Sequence, residues 1–196
     1  MLMIEHDVPD WYIGSCKKIK YMFPRAHAVA YVMMSLREAY YKVYHPLEFY
    51  AVYFTTKVAA FDESVILRGQ KAVEDRMDEI DRLGKAATKK EESEYTVLEV
   101  AYETYARGYE FAPARLGVSD ALKFRVADGK VVLPFVAITG MGEGAATAFA
   151  DGYNHRPYET VEDVMERGHV NKTVIEQLRA DGVLEGLPET AQISFF

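Results

Sequence analysis

The chain has 196 residues, of which 49% are hydrophobic and 27% are charged, a balance that is ordinary for a soluble globular protein with a substantial core. Its formal net charge is −7, and residues 131–196 carry ten acidic against four basic side chains, which argues against a purely electrostatic grip on nucleic acid. The longest apolar stretch, residues 28–34, is too short to span a membrane, and no signal peptide is evident. The single Cys16 excludes an internal disulfide framework and indicates a cytoplasmic location.

The first part of the chain is predicted to be helical, with prolines at the boundaries. Residues 10–22 indicate a short helix that Asp10 could cap, and Pro24 separates it from the next one. Residues 25–44 are rich in Ala, Met and Leu and apolar on most faces, which is typical of a helix buried on more than one side. Pro46 suits the first turn of the helix that follows.

Two further amphipathic helices are predicted to end at glycines. In residues 70–84 apolar side chains recur at helical spacing, and Gly84 is placed to end the helix. Residues 85–94 are polar and dense in charge, which predicts a surface linker. Residues 95–108 then predict another helix, with Gly108 at its end.

A hairpin is predicted next, followed by small helices. Residues 122–135 contain two β-prone runs around Asp128-Gly129, the strongest short hairpin signal in the chain. Thr160 and Asn171 are then expected to cap two short helices. The predicted fold is therefore mostly α with one short β-hairpin.

The stretch ITGMGEGAA has the apolar-x-Gly-apolar-Gly pattern of a helix-hairpin-helix turn, formed by Ile138, Gly140, Met141 and Gly142. Two glycines let the backbone bend tightly and come close to a phosphate. A helix opening near Gly144 would then aim its free N–H groups at that phosphate. Because this contact needs no lysine, it is compatible with the acidic charge.

The DNA-binding interpretation of this turn has an alternative, a plain helix–helix turn. Glu143 lies beside the turn, and its carboxylate would repel a phosphate. Residues 167–178 could form a second, degenerate hairpin, with Lys172 near the start of its helix.

A basic and aromatic cluster lies near the N-terminus. Lys20, Arg25 and His27 are close together in sequence, with Tyr21 and Phe23 between them. Such a cluster suits a nucleotide, because the donors can bind the triphosphate and a ring can stack on the base. The alternative is a positively charged helix start with core aromatics.

The C-terminal residues have the pattern of a short peptide anchor. Gln192, Ile193, Phe195 and Phe196 could fill an apolar pocket of a partner and hydrogen-bond at its rim. Pro188, shortly before them, favours an extended tail.

The sequence shows no enzyme motif of its own. The five histidines have no metal-ligand spacing with each other or with Cys16, and there is no phosphate-binding glycine loop. Cys16 is expected to be a packing residue. We therefore expect no catalytic residue, no metal site and no cofactor in this chain.

Taken together, these stretches resemble the C-terminal region of the PolC-type DNA polymerase III alpha subunit of low-GC Gram-positive bacteria. Residues 23–31 match the family's Phe-Pro-Lys/Arg-Ala-His-Ala-x-Ala-Tyr string, the most specific feature. The hairpin, the helix-hairpin-helix stretch and the tail follow in the family's order. The resemblance covers essentially all 196 residues.

The resemblance implies a role for each stretch. Residues 1–110 would be the helical end of a fingers domain, residues 111–189 a hairpin with a helix-hairpin-helix DNA-contact region, and residues 190–196 a tail that binds the sliding clamp. The nucleotide contacts would come from Lys20, Tyr21, Arg25 and His27. The DNA contacts would come from Ile138, Gly140, Met141, Gly142, Gly144 and Lys172, and the clamp contacts from Gln192, Ile193, Phe195 and Phe196.

The resemblance also implies that the catalytic machinery lies elsewhere. The family's palm carboxylates, which hold the magnesium ions for transfer from a deoxynucleoside triphosphate, have no counterpart here. This chain alone is expected not to polymerise DNA, as an excised piece of a polymerase or a short reading frame derived from one. A free-standing clamp- and DNA-binding protein, or a vestigial α-helical interaction protein, remains the alternative.

The expected partners are DNA, the sliding clamp and the remainder of the polymerase, with no membrane. A fingers segment without its palm should also leave apolar surface uncovered, and self-association is expected through this surface, around Tyr40, Tyr41, Tyr44 and Tyr50.

Overall fold

The computed structural model describes residues 2–19 and 25–190 of the chain. They divide into two compact units, residues 1–43 and residues 44–196. The functional divisions expected after residues 110 and 189 both lie inside the second unit.

The first unit is helical. It contains α1 (Leu2–Glu5), α2 (Asp10–Lys18) and α3 (Arg25–Tyr44), the last of which reaches the first residue of the second unit. Helix α2 ends earlier than predicted, and its N-cap is Pro9, which forms no side-chain cap; Asp10 is the first helical residue and not the cap.

Helix α3 has the predicted bounds but not the predicted burial. None of its residues is buried, and even the large apolar side chains Tyr31 and Leu36 are 63% and 65% exposed. The apolar faces of α3 are therefore left open to solvent, which is unusual for so long a helix.

The second unit begins with four helices: α4 (Pro46–Thr56), α5 (Glu63–Ile66), α6 (Gln70–Leu83) and α7 (Lys89–Ala106). Pro46 occupies the first turn of α4, and Gly84, with a φ of +51°, follows the end of α6, both as predicted.

The expectation that Tyr50 is part of an uncovered surface is wrong. Tyr50 on α4 is completely buried, and its hydroxyl donates to Glu103 Oε1 (2.8 Å) and accepts from the Arg107 guanidinium (2.9 Å). Because the polar end of the ring has partners on α7 and just beyond it, the ring can enter the core at little cost. Tyr40, Tyr41 and Tyr44 are exposed.

The expectation of a linker over residues 85–94 is also wrong. Helix α7 begins at Lys89, and Thr88 and Glu91 form a capping box in which each side chain bonds to the backbone of the other residue. Glu94 is buried, because its carboxylate receives two hydrogen bonds from Arg76 on α6. The charged stretch is thus the first two turns of a helix that packs against α6.

A three-stranded sheet of order β1-β3-β2 follows. Strands β2 (Arg125–Ala127) and β3 (Lys130–Val132) form the predicted antiparallel hairpin. Asp128 and Gly129 both have positive φ, as a two-residue hairpin turn requires. The short strand β1 (Phe111–Ala112), which was not predicted, pairs in parallel with β3.

The last part contains α8 (Glu143–His155), α9 (Val161–Arg167) and α10 (Lys172–Ala180). Thr160 and Asn171 cap α9 and α10 as predicted, by accepting from the amides of Asp163 and Val174. The apolar faces of these helices join one core with α4 to α7 and the sheet. The mostly α fold is confirmed.

Among the described residues, no helix is both long and apolar enough to cross a lipid bilayer.

Candidate nucleic-acid interface

The glycine turn, residues 138–142, is a tight turn held by two apolar anchors. Ile138 and Met141 are buried in the core, at 2% and 4% exposure. The Met141 amide donates to the Ile138 carbonyl (3.0 Å) and closes a four-residue turn. Gly140, the third residue of this turn, has a φ of +86°, which strongly favours glycine. The turn is therefore a fixed feature of the surface.

The end of the turn presents backbone amides that have no backbone acceptor. Gly142 is the N-cap of α8 and offers no side chain, and the first bond of the helix runs from the Ala146 amide to the Gly142 carbonyl (2.9 Å). Within the described parts of the chain, the amides of residues 140 and 142–145 donate no hydrogen bond to a backbone carbonyl. Such a group of amides at a helix N-terminus can bind an anion.

The space outside Gly142 and Gly144 is open. Apart from its chain neighbours and its own helix, a Cβ atom added to either residue would meet no atom of the described residues within 4 Å, and neither residue has a positive φ. Packing within the chain therefore does not explain glycine at these positions. The absence of a side chain leaves room for another molecule to approach the backbone closely.

A second hairpin, residues 168–171 between α9 and α10, lies next to the glycine turn. The Cγ2 of Val174 on α10 is 3.9 Å from the position that a Cβ of Gly140 would take. Lys172, the first residue of α10, is exposed at this end of the helix. The structure thus brings the beginning of α10 close to the glycine turn, although the two are about 30 residues apart in sequence.

The second hairpin differs from the glycine turn in two ways. His169 has a φ of +50° at the position that corresponds to Gly140, so a non-glycine residue adopts the left-handed conformation there. The Asn171 side chain accepts the Val174 amide (2.9 Å), whereas the corresponding Gly142 leaves its helix uncapped. The second hairpin therefore offers fewer free amides, which agrees with the prediction that it is degenerate.

A buried carboxylate that belongs to no sequence motif lies behind the glycine turn. Glu63, the first residue of α5, is 4% exposed, and its Oε1 accepts the backbone amide of Thr139. Burial raises the pKa of Glu63 to about 7; the hydrogen bonds from Thr139 oppose the rise, and the charge of Asp181 adds to it. No local pattern in the sequence joins residues 63 and 139.

Asp181, just after α10, adds a second partly buried carboxyl group. Its Oδ1 accepts from the Gln177 side chain (2.9 Å), and its Oδ2 is buried with no hydrogen-bond partner in the part of the chain that the structure describes. Burial raises the pKa of Asp181.

Half of the predicted nucleotide site lies within the described residues. Arg25 and His27 are both in the first turn of α3, and the His27 ring lies edge-on to Tyr31 with 4.5 Å between ring centroids. Lys20 and Tyr21 lie outside the described residues.

The residues predicted to bind the clamp, Gln192, Ile193, Phe195 and Phe196, also lie outside the described residues. The segment before them is well anchored. The carbonyls of Pro188 and Glu189 accept the amides of Val161 and Glu162 at the start of α9, and Glu189 pairs with Arg179 (2.6 Å).

Across residues 2–19 and 25–190, no group of three or more His, Cys, Asp or Glu side chains is arranged to hold a metal ion.

Comparison with known proteins agrees with this geometry. A family model described as a helix-hairpin-helix motif matches residues 108–192, a range that contains both the glycine turn and the second hairpin. Three bacterial proteins named DNA polymerase III PolC-type align with nearly the whole chain. The protein from Halalkalibacterium halodurans is 46% identical over 99% of the chain, that from Clostridium perfringens 45% over 100%, and that from Thermotoga maritima 46% over 96%.

The chain is a homologue of PolC-type DNA polymerase III. It spans about 14% of the length of each of these three PolC-type relatives. The resemblance noted in the sequence is therefore confirmed at the level of homology.

Proposed function

We propose that this chain is the C-terminal module of a PolC-type replicative DNA polymerase and contacts the backbone of duplex DNA through the glycine turn. The observation that carries the proposal is the set of amides at residues 140 and 142–145, which have no backbone acceptor and lie where the helix-hairpin-helix model matches. Two buried anchors fix these amides in place, so that little ordering is needed when a phosphate binds.

Binding of a phosphate through backbone amides is compatible with the excess of acidic side chains in this region. A phosphate at the turn gains hydrogen bonds and the favourable end of the α8 dipole, and only Lys172 adds a full positive charge from the residues predicted to contact DNA. Because few counterions would be released, the affinity should depend only weakly on salt compared with a lysine-rich protein.

The substitution Gly144→Glu tests this contact. It places a carboxylate in open space at the unbonded amides, while an acidic residue in the first turn is compatible with the helix. Gly14→Glu is the matched control, because Gly14 is also helical, has open space around it and gives the same change in charge. We expect Gly144→Glu to weaken binding to a primed duplex at low salt by at least about tenfold, and Gly14→Glu by less than about twofold. Equal affinities of the two variants would contradict the proposal.

The nucleotide contact is a second part of the proposal. Lys20, Tyr21, Arg25 and His27 would contact the incoming nucleotide, and the placement of Arg25 and His27 on one turn of α3 supports this role. Removal of these four side chains should weaken the binding of a fluorescent deoxynucleoside triphosphate in a complex that contains the rest of the polymerase. Unchanged binding would contradict the proposed nucleotide contact.

The third part is the tether to the sliding clamp through Gln192, Ile193, Phe195 and Phe196. The bonds that hold Pro188 and Glu189 against α9 support it, because they give the tail a fixed starting point. A short tether from a fixed point raises the local concentration of the polymerase at the clamp. Deletion of residues 192–196 should abolish capture by immobilised clamp, and equal capture would exclude this role.

Catalysis is proposed to lie outside this chain, which would neither hold magnesium nor polymerise DNA by itself. Incorporation of a labelled nucleotide by the purified chain would contradict this. The second candidate function is a vestigial interaction protein, which the excess of acidic residues in positions 131–196 favours. Absence of duplex binding at low salt would favour this second candidate over the proposed DNA contact.

A further inference from the structure

A polar contact connects the glycine turn to a distant part of the chain. Glu63 begins α5, in the helical part that precedes the sheet, and its carboxylate accepts the amide of Thr139, the second residue of the turn. The burial of Ile138 and of Met141 also holds the turn, but apolar contacts carry no direction. The hydrogen bond from the Met141 amide to the Ile138 carbonyl lies within the turn itself. The bond to Glu63 therefore orients the backbone of the turn relative to α5.

We propose that Glu63 is a positioning residue for the glycine turn, because its carboxylate bonds the Thr139 amide and so leaves the neighbouring amides of Gly140 and Gly142 for a DNA phosphate. This inference rests on the proposed DNA contact. Glu63 itself is 4% exposed and does not touch DNA; it acts through the backbone of the turn.

The charge of the Glu63 carboxyl group should affect its hydrogen bond to the Thr139 amide. Burial raises its pKa to about 7, so the carboxyl group changes its charge near neutral pH and the strength of its bond to Thr139 changes with it. The charged groups around it come from every neighbouring element: Asp62 before α5, Arg76 on α6, Lys90 and Glu94 on α7, and Asp181 after α10. The charges of Asp181 and Asp62 raise the pKa of Glu63 further.

Three variants of the chain separate positioning from general stability. Glu63→Gln keeps an oxygen acceptor for Thr139, whereas Glu63→Met keeps the length and removes the acceptor. Glu94→Gln is the control, because Glu94 is an equally buried carboxylate that bonds to Arg76 and not to the turn. At about pH 8, we expect Glu63→Met to bind a primed duplex at least about fivefold more weakly than the wild type, while Glu63→Gln and Glu94→Gln stay within about twofold.

A second measurement does not depend on the folding of Glu63→Met. In the NMR spectrum of the intact wild-type chain, the Thr139 amide proton should move downfield as Glu63 ionises, with a midpoint near pH 7, and this titration should be absent in Glu63→Gln. A wild-type Thr139 amide that shows no titration beyond that of Glu63→Gln would overturn the proposal.

The outcomes distinguish this inference from the proposed function. Duplex binding by the wild type with unchanged affinity in Glu63→Met would overturn the role of Glu63 alone. No duplex binding by the wild type at low salt would overturn the DNA contact and the positioning role together, even if the Thr139 amide titrates.

Discussion

At the scale of single residues, the buried carboxylate of Glu63 behind the glycine turn matters as much for the proposed DNA contact as the turn itself. Glu63 is buried and carries a charge at high pH, which is unfavourable for the folded state even though Thr139 bonds to it. The structure thus keeps a buried ionisable group next to the proposed DNA contact.

This placement predicts how stability depends on pH. The pKa of Glu63 is raised from 4.5 to about 7 in the folded state, so the folded chain binds more protons than the unfolded chain between these values. The contribution of Glu63 to stability is therefore fully present below about pH 4.5 and is lost as the pH rises through about 7. In urea titrations, the free energy of unfolding of the wild type should fall relative to that of Glu63→Gln over this range. Parallel curves for the two proteins would contradict the assignment.

At the scale of elements, the boundary of α7 depends on the capping box at its start. Thr88 accepts the Glu91 amide, and the Glu91 carboxylate accepts the Thr88 amide (2.7 Å). This reciprocal pair stabilises the charged first turns of a helix whose far end holds Glu103, the partner of Tyr50.

Removal of this cap should destabilise the chain measurably. Thr88→Ala is expected to lower the free energy of unfolding by about 1 kcal/mol, because the amide and the carboxylate of Glu91 both lose their bond to the Thr88 hydroxyl. Thr96→Ala, at an exposed position inside the same helix, is the control and should change it by less than about 0.5 kcal/mol. Equal effects of the two substitutions in chemical denaturation would show that the cap does not set the boundary.

The local elements were the most predictable part of the fold, because each has a signal within a few residues. The bounds of α3 and α6, the turn at Asp128-Gly129 and the caps Thr160 and Asn171 follow from proline, glycine or a polar cap at a fixed position. The capping box of α7 had such a signal too, but the density of charge around it favoured a linker.

Contacts between distant residues could not be predicted from these patterns. The pairing of β1 with β3 involves only two residues on the short strand, and the bond between Glu63 and Thr139 spans 76 positions. The candidate site shows the same division: the glycine turn was visible as a motif, whereas the groups that hold it and the position of α10 beside it depend on the tertiary fold.

At the scale of the whole molecule, the exposed helix α3 is the least expected feature. It is apolar on most faces and has no buried residue, so it leaves a large apolar surface in water. We propose that this surface packs against other parts of a PolC-type polymerase. The chain by itself should associate with copies of itself.

Sedimentation velocity tests this expectation. The wild-type chain should sediment with a weight-average coefficient that rises with concentration, because burial of the α3 surface is favourable. The double substitution Leu36→Glu and Tyr40→Lys, at two exposed positions of α3, should abolish the rise without loss of helical content. The matched change Leu83→Glu and Val126→Lys, at exposed apolar positions of the second unit, should leave it in place. A wild-type chain that remains monomeric at high concentration would refute the expectation.

The proposed DNA-binding role depends on contact between the backbone amides of the glycine turn and a DNA phosphate. The most direct test is an NMR titration of the isotope-labelled chain with a short primed duplex, in which each amide is followed separately. The account predicts the largest chemical-shift changes at the amides of residues 140 and 142–145, with smaller changes at the start of α10. Changes that leave these amides unaffected and cluster elsewhere on the chain would contradict it.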